Sequence, residues 1–247
     1  MDTALFRFYA DLNDFLPAHL RQRPFPSPVY DGTQSVKHLV ESLGVPHAEV
    51  ALIVANGRSI NFDYLVQAND QISIYPPFMT IDVSPLMQLR PFLPQPYRFI
   101  LDNHLGKLAR YLRLLGFDAL YFNDKADDAE LAQISHDEQR ILLTRDRGLL
   151  KRSSVIYGYC LRTTDSEEQI KAVLHRYQLH DKTAPWTRCL RCNGLLEPVA
   201  KERIIHRLEP KTKLYFHDFR ICQTCAQIYW KGSHYDRLQT RINDALH

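Results

Sequence analysis

Residues 98–118 read RFILDNHLGKLARYLRLLGFD, an apolar run followed by a helical pattern. The run at residues 99–101 predicts a buried strand, and leucines at positions 105, 108, 112 and 115 predict one apolar helix face. Strand and helix candidates then alternate along the chain, at residues 119–122, 131–134, 141–143, 155–160 and 170–174. This alternation is typical of a parallel sheet covered by helices, so we expect an α/β fold here.

Two carboxylates directly follow strand candidates in this part of the chain. Asp102 directly follows the run at residues 99–101, and Asp146 follows the run at residues 141–143 after two intervening residues, Thr144 and Arg145. Ligands of open parallel sheets bind at the carboxyl ends of the strands, so both side chains are site candidates. A third carboxylate can come from the loop before the next helix, which holds Asp124, Asp127, Asp128 and Glu130.

Carboxylates that crowd one cleft repel each other, and a hard cation such as Mg²⁺ or Mn²⁺ relieves this repulsion through oxygen ligands. Such ions activate water and stabilise charge on a phosphoryl group, which is the chemistry of phosphodiester cleavage. Simpler roles stay open for the same residues. Asp127 and Glu130 have the spacing of a helix capping pair, Asp165 has the position of a helix cap, and an Asp after a strand often only forms a turn.

Cationic side chains accompany both carboxylates. Lys107, Arg110 and Arg113 recur every three residues on the helix after Asp102, and Arg145 and Arg147 flank Asp146. A solvated helix face explains the first three equally well. The alternative is that all five cations contact phosphates of a nucleic acid.

Five cysteines are present, and four of them form two C-x-x-C pairs: Cys189 with Cys192, and Cys222 with Cys225. Two such pairs separated by 29 residues predict a tetrahedral structural Zn²⁺ site in a ribbon of short strands. Iron with the same four ligands is the alternative. Cys160 lies in an apolar run and is expected to be a buried thiol. Cations and aromatic residues around the pairs favour single-stranded RNA as a partner, although part of the aromatic set must pack the ribbon.

The first 80 residues have a different pattern. Strand candidates at residues 5–9, 50–55 and 72–75 surround a helical pattern that Gly44 ends, and Asn56-Gly57 is a tight-turn signal. This predicts a small mixed sheet crossed by one helix. Six prolines between Pro76 and Pro96 then predict a linker.

Composition excludes some classes of protein. Hydrophobic residues make up 45% of the 247, and no apolar run reaches the ~20 residues of a membrane helix, so we expect a cytoplasmic protein without a membrane partner. Charge is uneven. Residues 1–97 carry 6 Lys+Arg and 9 Asp+Glu, whereas residues 98–247 carry 25 and 19, which places a polyanion partner in the second part.

Residues 101–118 and 141–147, with the two C-x-x-C pairs and residues 229–235, closely resemble the Mut-seven C-terminal RNase domain family. The resemblance covers residues 98–235 and implies a PIN-like α/β nuclease domain followed by a zinc ribbon. It implies that Asp102 and Asp146 are catalytic metal ligands. Relatives have Ser-Asp-Glu-Glu ahead of the second helix where this chain has residues 127–130, so Asp128 and Glu130 match acidic positions and are both candidates for the third carboxylate.

Residues 35–46, with residues 56–57 and 69–76, resemble ubiquitin-like β-grasp domains related to the sulfur carriers ThiS and MoaD. Those carriers end in Gly-Gly, whereas this chain continues through Tyr75-Pro76-Pro77-Phe78, so a docking or structural role is expected. The predicted organisation is a β-grasp domain at 1–80, a linker at 81–97, a PIN-like domain at 98–182 and a zinc ribbon at 183–247. The leading hypothesis is a metal-dependent ribonuclease. The alternative is an inactive RNA-binding or adaptor protein whose β-grasp domain docks a protein partner.

Overall fold

The computed structural model describes residues 2–29, 32–91, 95–123, 126–232 and 240. The strands are β1 Thr3–Phe8, β2 Phe25–Pro28, β3 Leu52–Ala55, β4 Arg58–Ile60, β5 Gln71–Tyr75, β6 Arg98–Leu101, β7 Asp118–Leu120, β8 Ile141–Thr144, β9 Gly158–Cys160, β10 Leu196–Val199, β11 Phe219–Cys222 and β12 Ile228–Trp230. The helices are α1 Val36–Ser42, α2 Gly106–Leu114, α3 Asp128–Asp137, α4 Ser166–Arg176, α5 Lys201–Ile204 and α6 Pro210–Tyr215.

The chain forms two compact units. The first unit is Met1–Pro96 with Asp127–Cys160, and the second is Tyr97–Ala126 with Leu161–His247. None of the helices that the structure describes is long and apolar enough to cross a membrane. The domain boundaries proposed from the sequence, after residues 80, 97 and 182, stay predictions.

The first unit begins with a five-stranded sheet of order β2-β1-β5-β3-β4. Only β1 and β5 run parallel among its described strand pairs, and α1 lies between β2 and β3 in sequence, so the predicted mixed β-grasp sheet with one helix is confirmed. Side chains of β1 alternate, with Ala4, Phe6 and Phe8 buried, which is the pattern of a strand with one face on a core. Ser35 caps α1 by accepting a hydrogen bond from the His38 N–H.

The same unit contains α3 and the parallel pair β8–β9. All four residues of β8 are buried, as expected for a strand covered on both faces. Polar side chains of the first 96 residues bond to the backbone beside β9. Nε2 of His47 lies 3.0 Å from the Val155 carbonyl oxygen, and Oε1 of Glu49 accepts the Cys160 N–H at 2.5 Å.

The second unit contains the parallel pair β6–β7 with α2 between them in sequence, and α4 packs on α2. Buried leucines at 105, 108, 112 and 115 form the predicted apolar face of α2. Gly116 ends this helix with φ +93°, and a Cβ there would lie 2.1 Å from the Ala184 carbonyl oxygen. The strand and helix predicted from residues 98–118 are therefore confirmed, and the strand predicted at residues 119–122 is present as β7, Asp118–Leu120.

A three-stranded antiparallel sheet of order β10-β11-β12 forms the ribbon of the second unit. Cross-strand partners share a face, so alternate residues separate into two clusters. One face packs Phe219 and Ile228 on Ile204 and Leu208. The other face carries Leu196 and Cys222 beside the remaining paired cysteines.

Candidate metal and nucleic-acid sites

Asp102 lies directly after β6, whose last three residues are buried, and its own side chain is half-buried. Its Oδ1 accepts the Asn103 N–H at 2.6 Å and begins a short 3-10 turn, Asn103–Leu105, that leads into α2. Tyr121 donates its hydroxyl to the Asn103 carbonyl at 2.8 Å, and the Asn103 amide donates to the Ala126 carbonyl at 3.3 Å. Contacts to residues after β7 therefore hold the turn that carries Asp102.

Asp146 is exposed two residues after β8. Its N–H donates to Oγ1 of Thr144 at 2.9 Å, and its Oδ1 accepts the Gly148 N–H at 2.6 Å. These two bonds join side chains to the backbone two residues away, so Asp146 has the turn-forming role considered from the sequence. A carboxylate has two oxygens with several lone pairs, and the bond to Gly148 leaves acceptor capacity for a cation.

The acidic residues before α3 have different roles. Asp127 caps this helix, because its Oδ1 accepts the Glu130 N–H at 2.8 Å. Asp128 and Glu130 are exposed in the first helical turn. Asp165 likewise caps α4 by accepting the N–H groups of Glu167 and Glu168, and these bonds lower the pKa of its carboxyl. Asp124 lies outside the described residues.

The described residues contain one group of three or more His, Cys, Asp or Glu side chains whose ligand atoms all lie within 4.8 Å of each other: the four paired cysteines. Among the same described residues, no three carboxylates have oxygen atoms that all lie within 4.8 Å of each other. The oxygen donors of Asp102, Asp128, Glu130 and Asp146 are nevertheless of the type that Mg²⁺ and Mn²⁺ prefer.

The four cysteines could bind a zinc ion. Sγ of Cys189 lies 3.6 Å from Sγ of Cys225, and Sγ of Cys192 lies 3.4 Å from Sγ of Cys222. Four sulfurs at the usual ~2.3 Å from a tetrahedral Zn²⁺ are separated by about 3.8 Å, so the sulfur positions fit this ion. Four protein ligands leave no open position, which suits a structural role.

The two pairs form matching knuckles. Asn193 and Ala226, each directly after the second cysteine of a pair, have φ of 70° and 55°. Their N–H groups donate to the carbonyls of Cys189 and Cys222, the first cysteines of the pairs, at 2.9 and 3.0 Å. In the second knuckle, burial raises the pKa of the Cys222 thiol, but hydrogen bonds from the N–H groups of Cys225 and Thr224 and from the Cys192 and Cys225 side chains together outweigh burial and lower this pKa to about 7.

Tyr229 is a supporting residue that the sequence analysis did not single out. Its hydroxyl lies 3.1 Å from Sγ of Cys189 and accepts the Leu190 N–H at 3.0 Å. Burial raises the pKa of this hydroxyl well above its ordinary value, so it stays protonated and donates to the sulfur. In the structure, Tyr229 lies in β12 opposite Arg220, on the face of the sheet that carries the cysteines. This strand pairing is what identifies Tyr229 as a supporting residue.

The cationic stripe on α2 is only partly at the surface. Lys107 and Arg110 are exposed, but Arg113 is 4% exposed. Its Nε donates to the Ala119 carbonyl at 2.9 Å, and its Nη1 donates to the carbonyls of Leu190 and Arg191, each at 3.2 Å. The expectation of a phosphate contact at Arg113 was therefore wrong, because its guanidinium is buried against protein carbonyls.

Arg113 is part of a polar contact between the first knuckle and β7. Asn193 donates its amide to Oδ1 of Asp118 at 2.8 Å and accepts the Ala119 N–H at 3.0 Å. Arg188 pairs with Asp118 at 3.5 Å. Arg145 and Arg147 are exposed in the first unit, where the Arg147 guanidinium lies 5.1 Å from the Phe15 ring centroid.

Comparison with known proteins gives two family matches along this chain. The Mut7-C RNAse domain family matches residues 97–242, and the Mut7-C ubiquitin family matches residues 1–82. A human protein named exonuclease mut-7 homolog is 36% identical over 102 residues, which are 39% of this chain and 12% of that protein. No solved structure matches. The nuclease-type domain accounts for more than half of the chain, which therefore belongs to the Mut7-C RNAse domain family and carries a Mut7-C ubiquitin-like domain at its N-terminus.

Proposed function

We propose that this protein is a metal-dependent ribonuclease. The observation that carries the proposal is that Asp102 and Asp146 each follow a buried parallel strand in a domain of a nuclease family. Ligands of parallel sheets bind at the carboxyl ends of the strands. Asp102 and Asp146, with Asp128 or Glu130, then supply the oxygen ligands of Mg²⁺ or Mn²⁺.

Such an ion, when bound, supplies an activated water and stabilises charge at the scissile phosphate. The chain's own residues orient the ligands and the RNA. The N–H groups of Asn103 and Gly148 each bond one oxygen of Asp102 and Asp146, and these bonds orient the two carboxylates. The exposed cations Lys107, Arg110, Arg145 and Arg147 hold the phosphates of a single-stranded RNA.

The cysteine site has a separate, structural function in this proposal. Four cysteines on two knuckles hold Zn²⁺, and Tyr229 stabilises one of the thiolates. Elemental analysis of the purified chain should give one zinc per molecule, and none after substitution of Cys189 and Cys222 by Ser. Iron in place of zinc would show a different metal without changing the ligand set.

Cleavage of labelled single-stranded RNA tests the catalytic proposal. The full chain is assayed with Mn²⁺, with Mg²⁺ and with neither ion, and chelators are avoided because they also remove zinc. Asp102→Asn and Asp146→Asn should abolish cleavage, while Asp137→Asn, an exposed carboxylate near the end of α3, should not. Separate Asp128→Asn and Glu130→Gln variants identify the third ligand.

The result that overturns the proposal is full cleavage by both aspartate variants, or no cleavage by folded, zinc-loaded wild-type protein with either ion. RNA binding without cleavage would favour the adaptor function, in which the ubiquitin-like domain docks a protein partner. Melting temperature and zinc content of each variant separate lost chemistry from lost folding.

A further inference from the structure

A groove of about 650 Å³ lies in the second unit, at the end of the ribbon sheet where β11 begins and β12 ends. Its volume is in the range of pockets that bind small organic groups, ~300–1,000 Å³. The residues that matter for its chemistry are Trp186, Phe219, Arg220, Tyr229, Trp230 and Lys231. Neither the knuckles nor the predicted carboxylate site contributes a metal ligand to this lining.

Cross-strand pairing places an aromatic pair on one face of the ribbon sheet and an Arg–Tyr pair on the other, and both pairs line the groove at the end of the sheet. Phe219 is opposite Trp230, and Arg220 is opposite Tyr229. The rings of Phe219 and Trp230 lie 6.4 Å apart with their planes tilted by 52°. Phe219 is buried, but Trp230 keeps 36% of its surface exposed, so the indole presents ring surface in the groove.

The polar groups of the groove suit a nucleotide. Arg220 donates one N–H to the Trp186 carbonyl at 3.2 Å, which fixes a guanidinium that has five donors. Lys231 adds an exposed ammonium on the next position after Trp230. Asp218, also in the lining, offers a carboxylate that can accept from a ribose hydroxyl or an exocyclic amine.

The charge of the surrounding module favours a polyanion. Residues 185–247 carry 11 Lys+Arg and 6 Asp+Glu. Aromatic faces with cations for phosphates are the combination by which proteins bind unpaired nucleotides. An acidic peptide complements the same charge, but its Asp and Glu side chains have no planar ring to stack on an exposed indole.

We propose that this groove binds one unpaired nucleotide of a single-stranded RNA, with the base stacked on Trp230 and the phosphate held by Arg220 and Lys231. The inference rests on the proposed function, because it takes RNA as the ligand. It adds a second RNA contact, separate from the residues proposed to hold the catalytic ion.

Binding of fluorescein-labelled oligouridine and oligoadenosine to the full chain tests the groove. Anisotropy is measured with zinc present but without Mg²⁺ or Mn²⁺, so cleavage does not enter the result. Trp230→Ala should raise the dissociation constant by about tenfold, because stacking on one base typically contributes ~1–3 kcal/mol. Trp230→Phe should raise it less, because a smaller aromatic ring remains. Tyr215→Ala is the matched control, since Tyr215 is 67% exposed and lies outside the groove lining.

The groove is rejected if Trp230→Ala, with wild-type zinc content and circular dichroism, binds within twofold of wild type. It is also rejected if RNA duplex or polyglutamate competes as well as the single strand. Should Trp230→Ala fail to fold, Lys231→Glu changes charge at an exposed position. It should weaken binding and reduce its salt dependence. If these variants bind RNA more weakly but the wild-type chain never cleaves RNA, the nucleotide groove is supported and the ribonuclease proposal is rejected.

Discussion

Arg113→Ala should destabilise the second unit strongly, although Arg113 belongs to a helix stripe that the sequence presents as solvated. The substitution removes a charged donor from three backbone carbonyls, of Ala119, Leu190 and Arg191. A buried acceptor left without a partner costs ~1–3 kcal/mol, and water can reach the two carbonyls that are only part-buried. We therefore expect a loss of about 3–5 kcal/mol in the free energy of unfolding. Arg110→Ala is the matched control, because Arg110 is exposed on the same helix, and should lose less than ~0.5 kcal/mol.

Urea unfolding followed by far-ultraviolet circular dichroism measures both variants, with zinc content determined alongside. Arg113→Lys should fall between them, because an ammonium keeps the charge but lacks the fork that reaches separated carbonyls. If Arg113→Ala matches Arg110→Ala in stability, the buried contact has no energetic role. Arg110→Ala is expected to lose RNA affinity. If folded Arg113→Lys loses as much affinity, Arg113 contacts an RNA phosphate after all.

Three further outcomes are expected. Burial holds the pKa of His47 in the folded chain below its usual 6.5. As pH falls, His47 is therefore protonated at a higher pH in the unfolded chain than in the folded chain. Thermal stability should decline as pH falls from 6.5 to the lower folded pKa and then level off, and a His47→Gln variant should flatten this decline in a melting series. Gly116→Ala should cost more than ~2 kcal/mol, because its Cβ meets the Ala184 carbonyl oxygen, whereas Gly57→Ala, also at positive φ but with open space, should cost about 1 kcal/mol by the same unfolding assay. Zinc removal with a chelator should lower the melting temperature, and added Zn²⁺ should restore it.

Local patterns predicted the parts of the fold that local forces decide. The strand, turn and helix of residues 98–118 follow from an apolar run and a period of three to four residues. The four cysteines were predictable because C-x-x-C spacing by itself brings two sulfurs to one knuckle. Both caps, Asp127 and Asp165, follow from a short acceptor before a helix.

Edge strands of the first sheet were not predictable in the same way. β2 has two prolines in four residues, and β4 has three residues. Each lies at an edge of the sheet, where a strand needs only one partner and can tolerate proline. Their pairing is decided by β1 and β3, so their own sequences carry little strand signal.

Arg113 shows why the spacing of residues along a helix does not by itself predict whether a side chain is buried. Successive positions three apart rotate by 300° on a helix, so a stripe drifts toward the apolar face within two steps. Lys107 and Arg110 stay in solvent, and the third cation enters the interior. What makes that burial tolerable is a set of carbonyls 77 and 78 residues further along the chain, which no local pattern reports.

The ubiquitin-like domain illustrates the same limit at the scale of a domain. The Glu49 side chain is fully buried and accepts the backbone N–H of Cys160, 111 residues away. Lys151 donates in return to the Glu41 carbonyl at 2.6 Å, and His47 bonds to Val155. A buried carboxylate is stable only when its donor is present. These contacts join residues 1–96 to residues 127–160 within one compact unit, and no local pattern in either segment reports them.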